Sequence, residues 1–133
     1  MIFVDSNVPM YVAGRDHPLR DPARRFLDRA RRGELDICTS TEVLQEILYR
    51  YAALGRMDLA TSVYDLFVEI CPVVFPVTLA DTDRTRALLP GSADISVRDA
   101  IHAAVMLDNG VTEIATFDAG FDQIFGITRF RMV

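Results

Sequence analysis

The chain reads as an α/β protein, a sandwich in which a short, mostly parallel sheet is flanked by helices. Two observations predict this. Short apolar runs alternate with longer stretches whose apolar residues recur every three or four positions, the strand–helix alternation of a parallel sheet. Four acidic residues, Asp5, Glu46, Asp99 and Asp118, fall where a strand hands over to a helix or where a helix has just begun. Parallel strands share one carboxyl edge, and ligands bind at that edge.

Each element has its own signal. Residues 1–5 form a strand that is apolar until it ends at Asp5. Residues 18–32 form a helix with its stripe at Ala23, Phe26, Leu27 and Ala30, stopped by Gly33. Residues 36–39 are a brief strand, and 40–54 a helix with Leu44, Ile47, Leu48 and Tyr51 on one face, ending at Gly55. A helix over 57–70 buries Leu59, Val63, Leu66, Phe67 and Ile70. Pro76 interrupts a strand at 73–77, which places that strand at an edge or ends it there. Helices follow at 80–89, stopped by Pro90-Gly91, and at 97–109, stopped by Asn109-Gly110. A strand at 113–117, a helical turn at 119–124 and a last strand at 128–132 complete a single domain spanning 1–133.

Composition narrows the function. With 133 residues, half of them apolar, the chain can bury an ordinary core without staples. No apolar run is long enough to span a bilayer, and a charge at Asp5 breaks any signal-peptide pattern, so a cytoplasmic protein is expected. Cys38 and Cys71 lie in apolar surroundings without metal-site spacing and read as reduced core thiols. All 14 basic residues are Arg, which excludes any chemistry that needs a lysine. The net charge of −5 is matched by Asp5, Glu46, Asp99, Asp118 and Asp122 alone, so an acidic balance does not exclude a nucleic-acid partner if those residues hold metal. Residues 15–32 carry a local excess of four positive charges, either a solvated face with i,i+4 ion pairs or a phosphate-contacting surface.

Each acid has a structural reading beside the chemical one. Asp5 either caps the next helix, in competition with Ser6 and Asn7, or serves as a ligand. Thr39-x-x-Glu42 fits a capping box, which gives Glu42 a structural task and leaves Glu46 free at the rim of the buried stripe. Ser96-x-x-Asp99 is capping-box-like as well. Asp118 can cap the turn that follows it, Asp122 lies four residues on and can face the same pocket, and Thr116 offers a hydroxyl at the same edge. Carboxylates converging on one edge repel one another unless a cation sits between them, and a hard divalent ion is the usual solution. His102, on an apolar helix, reads as a packed residue, and His17, before Pro18, as an exposed loop residue.

Asp5-Ser6-Asn7-Val8, Glu46 followed by Ile-Leu-Tyr, Ser96-Val-Arg-Asp99-Ala-Ile-His-Ala-Ala and Ile-Ala-Thr116-Phe-Asp118-Ala-Gly-Phe-Asp122 together resemble the PIN-domain family, and within it the VapC-type toxins of prokaryotic toxin–antitoxin pairs. The likeness runs over essentially the whole chain. It implies a PIN-like three-layer sandwich and a Mg²⁺- or Mn²⁺-dependent endoribonuclease that dimerises and is silenced by a small antitoxin. Carried over by position, Asp5, Glu46, Asp99 and Asp118 match the catalytic acids, and Asp5, Asp99 and Asp118 match the metal ligands. Asp122, Thr116, Asn7 and Ser6 stand as accessory positions. Ser6 replaces a Thr common in the family and keeps the hydroxyl. Metal-activated water would cleave an RNA phosphodiester, leaving a 5′-phosphate and a 3′-hydroxyl. An antitoxin helix is expected near residues 40–54 and 57–70, with an antitoxin Arg entering the acidic pocket.

Two other enzyme classes fail on specific residues. A haloacid-dehalogenase-type phosphatase needs a second Asp where Asn7 stands, and both it and a receiver domain need a Lys. The remaining alternative is a non-catalytic PIN-like module that binds RNA or protein.

Overall fold

The computed structural model describes residues 1–91 and 94–132. Five strands, β1 (Ile2–Val4), β2 (Ile37–Ser40), β3 (Val73–Phe75), β4 (Glu113–Ala115) and β5 (Thr128–Arg129), form one sheet in the order β3-β2-β1-β4-β5. All four pairings are parallel, with Ile2 opposite Ile37 on one side and Glu113 on the other. The helices are α1 (Asn7–Ala13), α2 (Arg20–Arg31), α3 (Thr41–Ala53), α4 (Met57–Ile70), α5 (Leu79–Leu88) and α6 (Val97–Asp108). Single 3₁₀ turns cover Leu89–Gly91 and Ala119–Gln123. None of the described helices is long and apolar enough to cross a membrane.

Parallel pairing buries both faces at the centre of the sheet, so β1 and β2 are buried at every position rather than alternating. Phe3, Val4, Cys38, Ile114 and Ala115 are fully buried. The expected stripe of α2 is the observed one, with Ala23, Phe26, Leu27 and Ala30 all facing the core. The helix stops at Gly33, whose φ of +78° lets its N–H and that of Glu34 reach back to the carbonyls of Ala30 and Arg29. Gly110 ends α6 in the same way, with Val111 N–H bonded to the Met106 carbonyl. Cys38 and Cys71 are free and buried, and burial pushes both thiols up to about 12.

The order of the strands fixes where a site can form. From β1 the chain moves outward to β2 and β3, then returns to the other side of β1 for β4 and β5. The carboxyl ends of β1 and β4 are therefore adjacent at the point where the order reverses, leaving a crevice between the loops that leave them.

Several details differ from the sequence reading. An additional helix, α1, directly follows Asp5-Ser6; Pro9 lies in its first turn, where no intrahelical N–H is required. Thr39 does not cap α3, because its hydroxyl donates to the Val4 carbonyl and ties β2 to the end of β1. Ser40 is the cap, accepting from Val43 N–H, so no Thr39–Glu42 capping box exists. A capping box does occur at Thr78 and Asp81, at the start of α5. Leu48 and Leu66, expected in the core, are exposed, and the last strand ends at Arg129 rather than at 132. Pro76 does end an edge strand, as β3 stops at Phe75.

Candidate active site

Four segments converge on the crevice: the turn from β1 into α1, the middle of α3, the first turn of α6, and the exit of β4. They line a cleft of about 440 Å³ that includes Asp5, Glu46, Asp99 and Asp118.

Asp5 is 4 % exposed and held from three directions. Its Oδ1 accepts the Ser6 N–H at 2.7 Å, and its Oδ2 accepts the Thr116 hydroxyl at 2.8 Å and the Asn7 side-chain amide at 3.5 Å. Thr116 in turn accepts from Asn7 Nδ2 and from the Asp118 N–H, both at 3.1 Å. One buried hydroxyl thus ties β1 to β4 at the edge. Burial raises the Asp5 carboxyl above its ordinary value, against the pull of His102 and Thr116.

Glu46 is not at a solvated rim. It is 5 % exposed, because α6 lies across it. Ser6 donates its hydroxyl to Oε1 at 2.7 Å, and Arg98 of α6 donates to Oε2 at 3.1 Å. Arg50, one turn along α3, stands 3.6 Å from the same oxygen. Burial alone would raise this carboxyl, but His102, Ser6 and Arg98 outweigh it and hold it near about 2. Glu42, by contrast, reaches only Arg98 among the described residues, at 3.6 Å.

Asp99 opens α6, where Ser96 caps its N–H at 3.1 Å. Its carboxyl is pushed up to about 7 by burial first, then by Asp5 and Asp118, while His102 opposes the shift. Asp118 is exposed and accepts the Gly120 N–H at 2.8 Å, so it caps the turn and lines the cleft together. Asp122 does not share that cleft. Arg129 grips both its oxygens, at 2.8 and 2.9 Å, in a neighbouring groove lined by Thr116, Thr128 and Phe130.

His102 is the participant the sequence reading set aside. It is fully buried, one helical turn after Asp99, with Nε2 3.5 Å from Glu46 Oε1 and 3.7 Å from Asp5 Oδ1. Among the described residues neither ring nitrogen has a hydrogen-bond partner. Burial opposes its charged form, but Glu46, Asp5 and Asp99 prevail and raise its pKa. The i,i+3 spacing from Asp99 was a readable signal, since that spacing puts two side chains on one helix face. Asp5, Glu46 and His102 each offer an atom within 4.8 Å of the others and can together hold a metal ion.

The fold and site define a class: a parallel α/β domain with a buried carboxylate cluster at its topological switch point. The PIN domain family model matches residues 2–126, and the chain belongs to that family. It is 40 % identical over 129 residues to Ribonuclease VapC13 of Mycobacterium tuberculosis, covering 97 % of this chain and 98 % of the relative. It is 42 % identical over 118 residues to Ribonuclease VapC23 of the same species, covering 89 % and 93 %. Among solved structures, M. tuberculosis VapC20, a sarcin–ricin-loop-cleaving toxin, superposes with a TM-score of 0.73 at 21 % identity over 90 % of this chain and 91 % of that one. VapBC2 of Rickettsia felis bound to a promoter DNA fragment superposes with a TM-score of 0.75 at 19 % identity over 98 % of both. At these identities the structural likeness establishes the fold.

Proposed function

We propose that the protein is a divalent-metal-dependent endoribonuclease, the toxin of a toxin–antitoxin pair. The observation that carries the metal-dependent reading is the unequal neutralisation of the acids. Glu46 has Ser6, Arg98 and Arg50 around it. Asp5 and Asp99 have no Arg partner among the described residues; burial raises both carboxyls, with Glu46 adding to the shift at Asp5 and Asp5 and Asp118 adding to that at Asp99. A hard cation beside Asp5, Asp99 and Asp118 would relieve that imbalance, and carboxylate oxygens suit Mg²⁺ or Mn²⁺. The activity itself is supported by the relatives' names as ribonucleases.

When bound, such an ion polarises a phosphodiester oxygen and acidifies a water. The protein's own groups do the rest. Ser6 and Thr116 fix the rotamer of Asp5, so its outward oxygens present one geometry. Glu46, held near about 2, stays ionised at any physiological pH and orients the attacking water. His102 backs both carboxylates from inside the core as a positioning residue. Arg15 and Arg50, at the cleft, offset phosphates on either side of the cut. An unpaired strand or loop is the substrate form that can splay a phosphate into such a cleft. A non-catalytic module would have no use for buried, mutually repelling acids.

The antitoxin is proposed to dock differently from the expectation at α3 and α4. An apolar groove of about 240 Å³ runs between α1, α2 and α4, walled by Pro9, Val12, Leu27, Leu66 and Phe67. It accounts for the exposure of Leu66 and suits the apolar face of a short helix. Homodimerisation and residence in the cytoplasm belong to the same reading. The test is product chemistry: a single-stranded RNA should yield 5′-phosphate and 3′-hydroxyl ends, and Asp5→Asn and Asp99→Asn should abolish the cuts while the fold survives. Cuts with 2′,3′-cyclic phosphate ends would refute a metal-activated water.

A further inference from the structure

The cleft is two-sided: Asp5, Glu46, Asp99 and Asp118 gather on one side, while on the other Asp16 is paired with Arg20 at 3.0 Å. Opposite the carboxylates stands a wall built by α1 and the segment after it, Met10, Tyr11 and His17. The Tyr11 and His17 rings stack with centroids 4.8 Å apart and planes tilted 39°. Phe117 meets Tyr11 edge-on at 5.4 Å and 90°. Phe117 lies between Thr116 and Asp118, and its N–H is 3.4 Å from the Asn7 side-chain oxygen, so the wall is braced against the same loop that carries the acids. His17 is exposed yet fixed: its Nδ1 accepts the Leu19 N–H at 3.1 Å, and its carbonyl accepts the Arg20 N–H at 3.0 Å. An exposed imidazole locked onto a half-buried tyrosine contributes little to a core. It does present a preformed π-surface to the cleft.

From this geometry we infer that Met10, Tyr11 and His17 form a nucleobase-stacking subsite that receives one unpaired base adjacent to the phosphate being cleaved. This rests on the ribonuclease reading and adds what the acids do not supply. Carboxylates repel the RNA backbone and offer a base no stacking face, whereas every base has a face that stacks on an aromatic ring regardless of sequence. Arg15 lies on the same side of the cleft as the wall and can meet the flanking phosphate. A duplex keeps its bases stacked on one another, so the subsite selects an unpaired nucleotide.

The experiment is equilibrium binding of a short fluorescein-labelled single-stranded RNA to full-length Asp99→Asn protein, read by fluorescence anisotropy. The RNA is used intact and with one abasic ribose moved along it. At one position the abasic ribose should weaken binding roughly 5- to 100-fold. His17→Ala, and separately Tyr11→Leu, should weaken the intact RNA and abolish the difference between intact and abasic forms. His17 is exposed, so its variant keeps the fold even if Tyr11→Leu does not. Equal binding of intact and abasic RNA at every position overturns the proposal, as does a penalty that survives in His17→Ala or an RNA that does not bind at all. Base-dependent binding by a wild-type protein that cuts no RNA would instead sink the nuclease reading and leave the subsite standing.

Discussion

Replacing Asp99 with Asn removes one negative charge from the cleft while keeping nearly the same shape. In the folded, metal-free protein the Asp99 carboxyl is pushed from the usual 3.8 up to about 7 by burial, Asp5 and Asp118. A folded-state pKa above the unfolded one favours the folded state only while the group is protonated. That contribution is present below pH 4 and is lost as pH rises towards 7. At ~1.4 kcal/mol per tenfold change in proton affinity the ceiling is ~4 kcal/mol. Asp99 is half-buried, so solvent screening reduces this to about 1–2 kcal/mol. Losing an acidic side chain at a helix N-terminus costs about 0.5 kcal/mol and leaves a net gain of about 1 kcal/mol. Thermal unfolding in chelator at pH 8 should therefore show Asp99→Asn melting roughly 2–5 °C above wild type. The gap should close near pH 4, and added Mn²⁺ should raise wild type more than the variant. A variant less stable than wild type at pH 8 would refute the reasoning, since Asp99 would then be a structural cap rather than a strained charge.

Further outcomes follow from the neighbouring side chains. Glu46→Gln should lower RNA cleavage by orders of magnitude, while Glu42→Gln, which loses a 3.6 Å pairing with Arg98, should keep cleavage within a few-fold and change stability by at most about 1 kcal/mol; the reverse pattern would contradict the assignment within α3. His102→Leu should cost about 1–3 kcal/mol at pH 6. Because the His102 pKa is raised on folding, that cost should shrink as pH rises through its folded value, which denaturant melts at pH 6 and 9 would reveal. Asp122→Asn should leave cleavage unchanged, because Arg129 already occupies both oxygens outside the acidic cleft; a large loss of activity would restore Asp122 to the site.

The sheet and most helices were legible because each depends on a short-range pattern: apolar runs for strands, three-to-four spacing for α2, α3 and α4, glycines for helix stops. The strand-end acids were legible for the same reason. α1 was not, as its seven residues contain Pro9 and no apolar stripe long enough to show a period. Glu46 looks like a rim residue from α3 alone; it is buried only because α6 brings Arg98 and His102 against it. His102 is packed, as its place among alanines implies, but nothing local signals the long-range contacts that bring Asp5 and Glu46 to it. Asp122 lies four residues after Asp118, close enough in sequence to share its cleft, and it is the arrival of β5 with Arg129 that draws it into the neighbouring groove. Thr39 shows the same limit: its bond to Val4 crosses strands and defeats the local capping pattern.

The account stands most directly on the metal. Purified protein stripped with chelator should lose cleavage of a single-stranded RNA and regain it when Mg²⁺ or Mn²⁺ is restored in excess. Cleavage that continues undiminished in excess chelator, at the same sites and with the same ends, would contradict it.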